Sequence, residues 1–589
     1  MHNLRVFSPL LVAGVLLSAC GGEPKIGNGN DGSSPPVTTS RSGTQEHVVI
    51  SSPVDSANIS FELFEPDQVD PGGSYPLILH GHGYGGSRIQ ERSGLLAALT
   101  AAGYYVISID QRGFGDSGGD VRVMSPDFEG QDLIHILDWA ESLPGLARDS
   151  SGNMRLGAYG SSYGGGFQLL LLGADPKNRL DALAPDITWH DLRYSLNPNN
   201  VIKSGWVLAL VAGGESGSGF RQDDFIRESL VQGLLSNEFP AAASNLFAYH
   251  SPVYHCEGLE VEEQDFLLAM PDPGLVPSRR LPKVDVLLTQ GMRDTLFNFN
   301  EAAANLACLT QMGSRVRLLT HETGHILPAS VPDDIADQID PAFALVTPPA
   351  FQSAGGTRSC GNISLDSATL AWFDASLKGQ EAAFSAITAN LNGICMSLAE
   401  GDAIELDRIP RGGRGFSVDI NTPQLNSALA VAGSLTGTVA RDLVLADIPL
   451  GIAGAEGAVV AGIPQLALNV IDALGIGQSE CIAPLAQASC DPIYWLALTH
   501  RRQGEQQRSI IDDQLTPLRG FGQHGDNLQP LDMTGVAERL APGDELGLRI
   551  LGFHAQYPVT WSRDIAVPAA TISGEVSIPV IDGSLDAVP

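Results

Sequence analysis

The stretch that most restricts the fold is RLGAYGSSYGGGFQLLLLGA, residues 155–174. A short apolar run turns inside a cage of glycines and continues as an apolar segment of helical length. A strand that passes through so tight a turn directly into a helix needs small neighbours around the turning residue. Gly160, Gly164, Gly165 and Gly166 supply them, and the G-x-S-x-G spacing puts Ser162 at the apex. Its hydroxyl would project beside a helix N-terminus, where free N–H groups favour developing negative charge. Ser161 would point elsewhere. A second match, Gly115-Asp116-Ser117-Gly118-Gly119, leads into a Gly/Asp loop with no immediate helix, so Ser117 reads as a structural loop residue.

A serine that is to act as a nucleophile needs a base, and the base needs an orienting acid. In hydrolases built on this elbow the chain order is Ser, then Asp or Glu, then His. Asp294 follows the strand-like run VDVLLTQG, and His325 follows the next one in THETGH. Both fall in loops at strand C-terminal ends, where the active groups of open α/β sheets gather. The rival base His321 still belongs to its strand, and the rival acid Asp285 stands at a strand start, on the wrong edge. The glycine-rich HGHGYGGSR after the strand YPLILHG lets backbone N–H groups approach an oxyanion. Tyr84 is the expected donor from this loop and Tyr163, next to the nucleophile, the other. His80 and His82 have no carboxylate partner at ligand spacing, so they read as structural and no metal or cofactor is expected.

Around these motifs, short apolar runs alternate with amphipathic segments such as SGLLAALTAAGYY and FEGQDLIHILDWAESL. That alternation predicts an α/β core with a parallel sheet covered on both faces, over 46–185 and 281–385. Residues 186–280 interrupt it with helical segments such as DDFIRESLVQGLLSNEF and read as a cap over the strand ends. From 386 to 589, short alternating runs (FSVDI, LGLRILGFH, TISGEVSIPVI) are split by Gly, Pro and Asp, the pattern of an all-β sandwich.

Two or three folded units are what 589 residues lead one to expect. The net charge of −33 comes without any Lys/Arg cluster, which argues against a nucleic-acid partner. MHNLR, an apolar VFSPLLVAGVLL and then Leu17-Ser18-Ala19-Cys20 form a targeting segment over 1–20. The last four residues resemble the lipobox of bacterial lipoproteins, which implies lipidation of Cys20 and a cell-envelope location, at the outer membrane or cell surface. Residues 21–45, rich in Gly, Ser, Pro and Asn, would be a flexible tether. Six further cysteines, Cys256, Cys308, Cys360, Cys395, Cys481 and Cys490, suggest disulfides in an exported chain, with Cys481–Cys490 the best pair and the rest open.

The loop Asp110-Gln111-Arg112-Gly113 through Ser117-Gly118, the elbow Gly160 to Gly164, QGMRDTLFN around Asp294, Gly324-His325 and AWFDASLKG together resemble the cocaine-esterase-like acyl esterases and Xaa-Pro dipeptidyl-peptidases. The resemblance implies an α/β-hydrolase core, a helical cap, a C-terminal jelly-roll sandwich, and Ser162, Asp294 and His325 as nucleophile, acid and base. Some members donate to the oxyanion through a tyrosine hydroxyl, for which Tyr84 is the candidate; the glycines here favour its backbone instead. An ester substrate is the first expectation and an Xaa-Pro peptide the second. The latter would need an acidic pocket, for which the cap offers Glu215, Asp223 and Asp224. A catalytically silent binding lipoprotein is the third.

Overall fold

In the computed structural model the described residues are 39–262, 274–327, 352–353, 357–388, 393–424, 442–473, 475, 489–564 and 569–588. The targeting segment with Cys20, and most of the expected tether, lie outside them. Among the described residues no helix is long and apolar enough to cross a membrane.

A 10-stranded sheet organises the first two-thirds of the chain. Its strands are β1 (Gln45–Ser51), β2 (Asn58–Phe64), β3 (Leu77–Gly81), β4 (Tyr105–Ile109), β5 (Leu156–Ser161), β6 (Ala182–Asp186), β7 (Asp285–Gly291), β8 (Arg315–His321), β9 (Ile394–Ala399) and β10 (Asp402–Leu406). They lie in the order β10-β9-β8-β7-β6-β5-β3-β4-β2-β1, with β4, β3, β5, β6, β7, β8 and β9 mutually parallel. Parallel strands are covered on both faces, so their sequences are continuous apolar runs whose alternate residues serve different cores. Leu77 and Leu79 pack toward α2 (Glu129–Ala140), α3 (Tyr163–Ala174) and α9 (Phe299–Met312), beside Ile136, Phe167 and Leu309. Ile78 packs the other way, toward α1 (Gly94–Ala101) and α10 (Leu365–Lys378), beside Leu99, Trp372 and Phe373. Each such fully buried side chain contributes about 2 kcal/mol.

The boundary expected at 386 moves. β9 continues the core sheet, with Ile394 and Cys395 in parallel register with Leu318 and Leu319, and β10 pairs antiparallel beside it. The reason is visible in the residues: Ile394 to Leu398 are all buried, as a covered strand requires, where a half-exposed sandwich strand would alternate. The sandwich proper begins at Arg414–Asn421, which pairs with Ala570–Ile578 in a 5-stranded sheet facing a 7-stranded one built around Leu443–Gly462, Ile493–Arg501 and Glu545–Phe553. Leu466, Leu468, Ile572 and Val576 from one sheet meet Leu496, Leu548 and Ile550 from the other.

Between β6 and β7 the chain leaves the sheet and forms α4 (Leu192–Leu196), α5 (Ser204–Ser218), α6 (Asp224–Ser236), α7 (Ala241–Tyr249) and α8 (Pro252–Glu257). The Cys256–Cys308 disulfide ties α8 to α9 across a separation of 52 residues, a loop whose closure stabilises the fold by about 4 kcal/mol on the chain-entropy model. Cys360–Cys395 ties β9 to the segment before α10. Cys490 is disulfide-bonded, but Cys481, its expected partner, lies outside the described residues.

Candidate active site

β5 ends at Ser161 and α3 begins at Tyr163, so Ser162 alone makes the turn, with φ 60° and ψ −120°. A non-glycine residue held there stores on the order of 1–3 kcal/mol of strain. The surroundings enforce it. Ser162 N–H donates to the Asp186 carbonyl at 2.9 Å, and Thr188 Oγ1 donates to the Ser162 carbonyl at 3.0 Å. A Cβ on Gly164 would lie 2.0 Å from the Gly81 carbonyl oxygen, so only glycine lets the elbow close on the end of β3.

His325 Nδ1 is 2.6 Å from Asp294 Oδ2, and the His325 backbone N–H donates to the same oxygen at 3.1 Å. Asp294 is fully buried and its Oδ1 accepts from the N–H groups of Leu296 and Phe297 at 3.0 and 2.7 Å. Its carboxylate is thereby satisfied without a counter-cation in contact and can face the imidazole. The imidazole is walled edge-on by Trp206 and Phe297, at 5.9 and 5.4 Å between ring centroids. With Nδ1 engaged, Nε2 is the nitrogen left for a reacting partner. His325 and Ser162 border one open cavity of about 410 Å³ with a mixed polar and apolar lining, together with Gly81, His82, Gly83, Ile187 and Arg358.

The rival residues go elsewhere. His321 is buried between Asp186 Oδ1 at 3.1 Å and Thr323 Oγ1 at 2.7 Å. Asp285, at the start of β7, pairs with Arg315. Ser117 Oγ donates to the Asp110 carbonyl at 2.7 Å and accepts from Ser60 N–H at 2.9 Å. His82 accepts from Gln111 N–H and donates to the Gly83 carbonyl, so it is a neutral imidazole, and burial lowers its pKa accordingly. His80 contacts Ser108 Oγ at 2.8 Å, and burial takes it down to about 3.

The Tyr84 hydroxyl donates to Gln222 Oε1 at 2.6 Å, so its side chain is committed to the cap rather than to an oxyanion. Its ring stacks edge-on against Tyr163 and Phe114. From this loop it is His82 and Gly83 that border the cavity shared by Ser162 and His325; Tyr84 borders a second cavity that also reaches Ser162. The Tyr163 hydroxyl accepts from Met124 N–H at 3.2 Å, burial raises its pKa well above the ordinary value with Glu129 adding to the effect, and the residue lines the apolar cavity.

The second cavity holds about 80 Å³ and begins at Ser162. Trp189, Leu210, Ile226, Phe239, Phe247 and Phe297 make it apolar, and most of its wall comes from α4 to α7. The cap acids do not enter it: Glu215 and Asp224 pair with Arg227, and Asp223 pairs with Arg122.

One residue of the site has no motif. Asp186, at the C-terminal end of β6, accepts from Ser161 Oγ at 2.7 Å, Thr289 Oγ1 at 2.7 Å and Arg358 Nη1 at 2.7 Å, besides its contact with His321. Burial opposes its ionisation, but Arg358 and His321 outweigh burial and hold the carboxyl well below its usual range. Its place at a strand C-terminal end was the one available signal.

Residues 55–327 match the family model described as X-Pro dipeptidyl-peptidase (S15 family). That segment is less than half of the 589-residue chain. A CocE/NonD family hydrolase from Staphylococcus aureus superposes over 92% of this chain and 94% of its own with a TM-score of 0.52 at 12% identity, which shows the shared fold, sandwich included. Shorter stretches are similar to an uncharacterized 31.7 kDa protein of the traX-finO intergenic region in Escherichia coli, 36% identical over 92 residues, 16% of this chain and 30% of that one. Another is similar to the lysophosphatidylserine lipase ABHD12 of Xenopus tropicalis, 43% identical over 75 residues, 12% of this chain and 18% of that one. The chain spans 16–41% of the length of the curated relatives it matches. Its fold is that of an α/β-hydrolase core carrying a C-terminal β-sandwich.

Proposed function

We propose that the protein is a serine ester hydrolase for substrates with an apolar acyl group. Ser162 is the nucleophile, His325 the general base and Asp294 the residue that orients the imidazole and stabilises its cation. Ser162 Oγ bonds to the substrate carbonyl carbon as His325 takes its proton. The alcohol then leaves with that proton, and water, activated by the same imidazole, releases the acid. The Tyr163 N–H and a main-chain N–H of the His82–Tyr84 loop hold the oxyanion, each worth about 3 kcal/mol in the transition state.

The observation that carries the substrate class is that Ser162 stands between the strongly apolar cavity under the cap and a second cavity of mixed lining that His325 borders. An ester fits with its acyl chain in the first and its leaving alcohol in the second. An Xaa-Pro peptide would instead bring a cationic amino terminus into a cavity whose described lining has no carboxylate. The test compares initial rates on p-nitrophenyl butyrate and Ala-Pro p-nitroanilide for the wild type and Ser162→Ala. Ester turnover abolished by the substitution, with the anilide untouched, is expected. Faster cleavage of the anilide would establish the peptidase, and silence on both with no reaction toward a serine-directed phosphonate would establish a binding protein.

Lipid chains on Cys20, with residues 21–45 as tether, would hold this catalytic unit at a cell-envelope membrane outside the cytoplasm. The two disulfides among the described residues support an oxidising compartment.

A further inference from the structure

The acid loop, residues 292–297 between β7 and α9, uses its inner N–H groups to bind the Asp294 carboxylate. Four of its carbonyls, those of Met292, Asp294, Thr295 and Leu296, are taken by two side chains from outside the hydrolase core. Lys203, just before α5 in the cap insertion, donates from Nζ to the Thr295 and Leu296 carbonyls at 2.9 and 3.0 Å. Gln514, which follows the turn Ile511–Asp513 in the sandwich, donates from Nε2 to the Met292 and Asp294 carbonyls at 2.8 and 3.0 Å. Both residues are buried, and Asp513 adds an ion pair to Arg293 at 2.6 Å. The base is caught in the same mesh: Trp206 Nε1 donates to Thr295 Oγ1, and Thr295 donates from N and Oγ1 to the His325 carbonyl.

We propose that Lys203 and Gln514 are positioning residues that set Asp294 against His325, so that the cap and the sandwich each hold one side of the catalytic acid. The proposal rests on the Ser162–Asp294–His325 reading. A buried ammonium is a poor choice for a mere staple, because it must be desolvated. Among the described residues no carboxylate forms an ion pair with Lys203; its partners are the two loop carbonyls. The charges that face it are Glu301 and Asp294, and burial outweighs them to bring it down to about 8. Rotating either carbonyl away would strand that buried group, so the loop has one arrangement available to it. Misplacing a reacting group by about 1 Å costs on the order of a hundredfold in rate.

The experiment uses the full chain with Lys203→Met, Gln514→Leu and Asp294→Asn, alone and in pairs, on p-nitrophenyl butyrate, with far-UV circular dichroism checking the fold. Each of the first two should lower kcat about tenfold or more with KM within twofold. In the Asp294→Asn background each should cost less than twofold, because a residue that acts through Asp294 has nothing left to position. Single variants with kcat within twofold of wild type, or an undiminished loss in the Asp294→Asn background, would overturn the proposal alone. Asp294→Asn at the wild-type rate would overturn the triad reading and this proposal with it. Should Lys203→Met fail to fold, Gln514→Leu and its pair decide.

Discussion

Gly324 lies against the backbone of Asp294 with no room between them: a Cβ on Gly324 would fall 2.7 Å from the N, Cα and Cβ atoms of Asp294. Its φ of +149° is also a conformation that other residues rarely adopt. The glycine therefore lets the base loop touch the acid loop, and the short Nδ1–Oδ2 hydrogen bond depends on it. Gly324→Ala is expected to push the two loops apart and lower kcat by about a hundredfold, with a smaller change in KM. Steady-state kinetics on a short-chain ester would show it, and kcat within threefold of wild type would mean that the loops can separate without cost.

The apolar cavity makes chain length the variable to probe. Phe239 lines it together with Phe247, with their rings stacked 5.7 Å apart. Phe239→Ala should enlarge it and shift the kcat/KM ratio of octanoyl over butanoyl p-nitrophenyl ester upward by about tenfold, since each buried methylene is worth about 1 kcal/mol or more. An unchanged ratio would place the acyl chain elsewhere.

Glu301, on α9, accepts from His190 N–H, Asp191 N–H and Ser195 Oγ. Burial raises its pKa from 4.5 to about 7, against the pull of those hydrogen bonds. The folded state therefore holds a proton that the unfolded chain has released between those two values. Stability from this group is fully present below 4.5 and is lost as pH rises through 7, by about 3 kcal/mol in all. Thermal melts of wild type and Glu301→Gln at pH 5 and pH 8 test the sign, a comparison in which ~1.4 kcal/mol per pKa unit sets the scale. The stability of the wild type relative to the variant should fall toward the higher pH, and a rise would show that the carboxyl is ionised throughout.

Cys20→Ser should release the enzyme from the membrane fraction into the soluble envelope fraction without changing its kcat, because the core sheet begins only at Gln45, 25 positions beyond Cys20 (45 minus 20). Fractionation with an activity assay measures both. Retention in the membrane would put the anchor somewhere other than Cys20.

Local chemistry made much of the core legible. The elbow at Ser162 is announced by its glycines, and Asp294 and His325 follow strands with buried apolar centres, Val286–Leu288 and Leu318–Leu319. What could be read stops where partners lie far apart in sequence. Nothing near Lys203 or Gln514 shows that they converge on carbonyls 92 and 220 residues away. Tyr84 illustrates the same limit: its loop is recognisable, but its hydroxyl is claimed by Gln222, 138 residues on. Ile394–Ala399 stands just ahead of a region of alternating runs, and only the uniform burial of its first five residues marks it as sheet core.

The reach from Gln514 to Asp294 also imposes an order on biosynthesis. The nucleophile elbow is synthesised early and can close once β3, β5 and β6 have met. The Met292 and Asp294 carbonyls cannot gain their glutamine partner until the ribosome has passed residue 514. A nascent or truncated chain thus carries its serine long before its acid loop is fully bonded, and the finished loop reports that synthesis has passed residue 514.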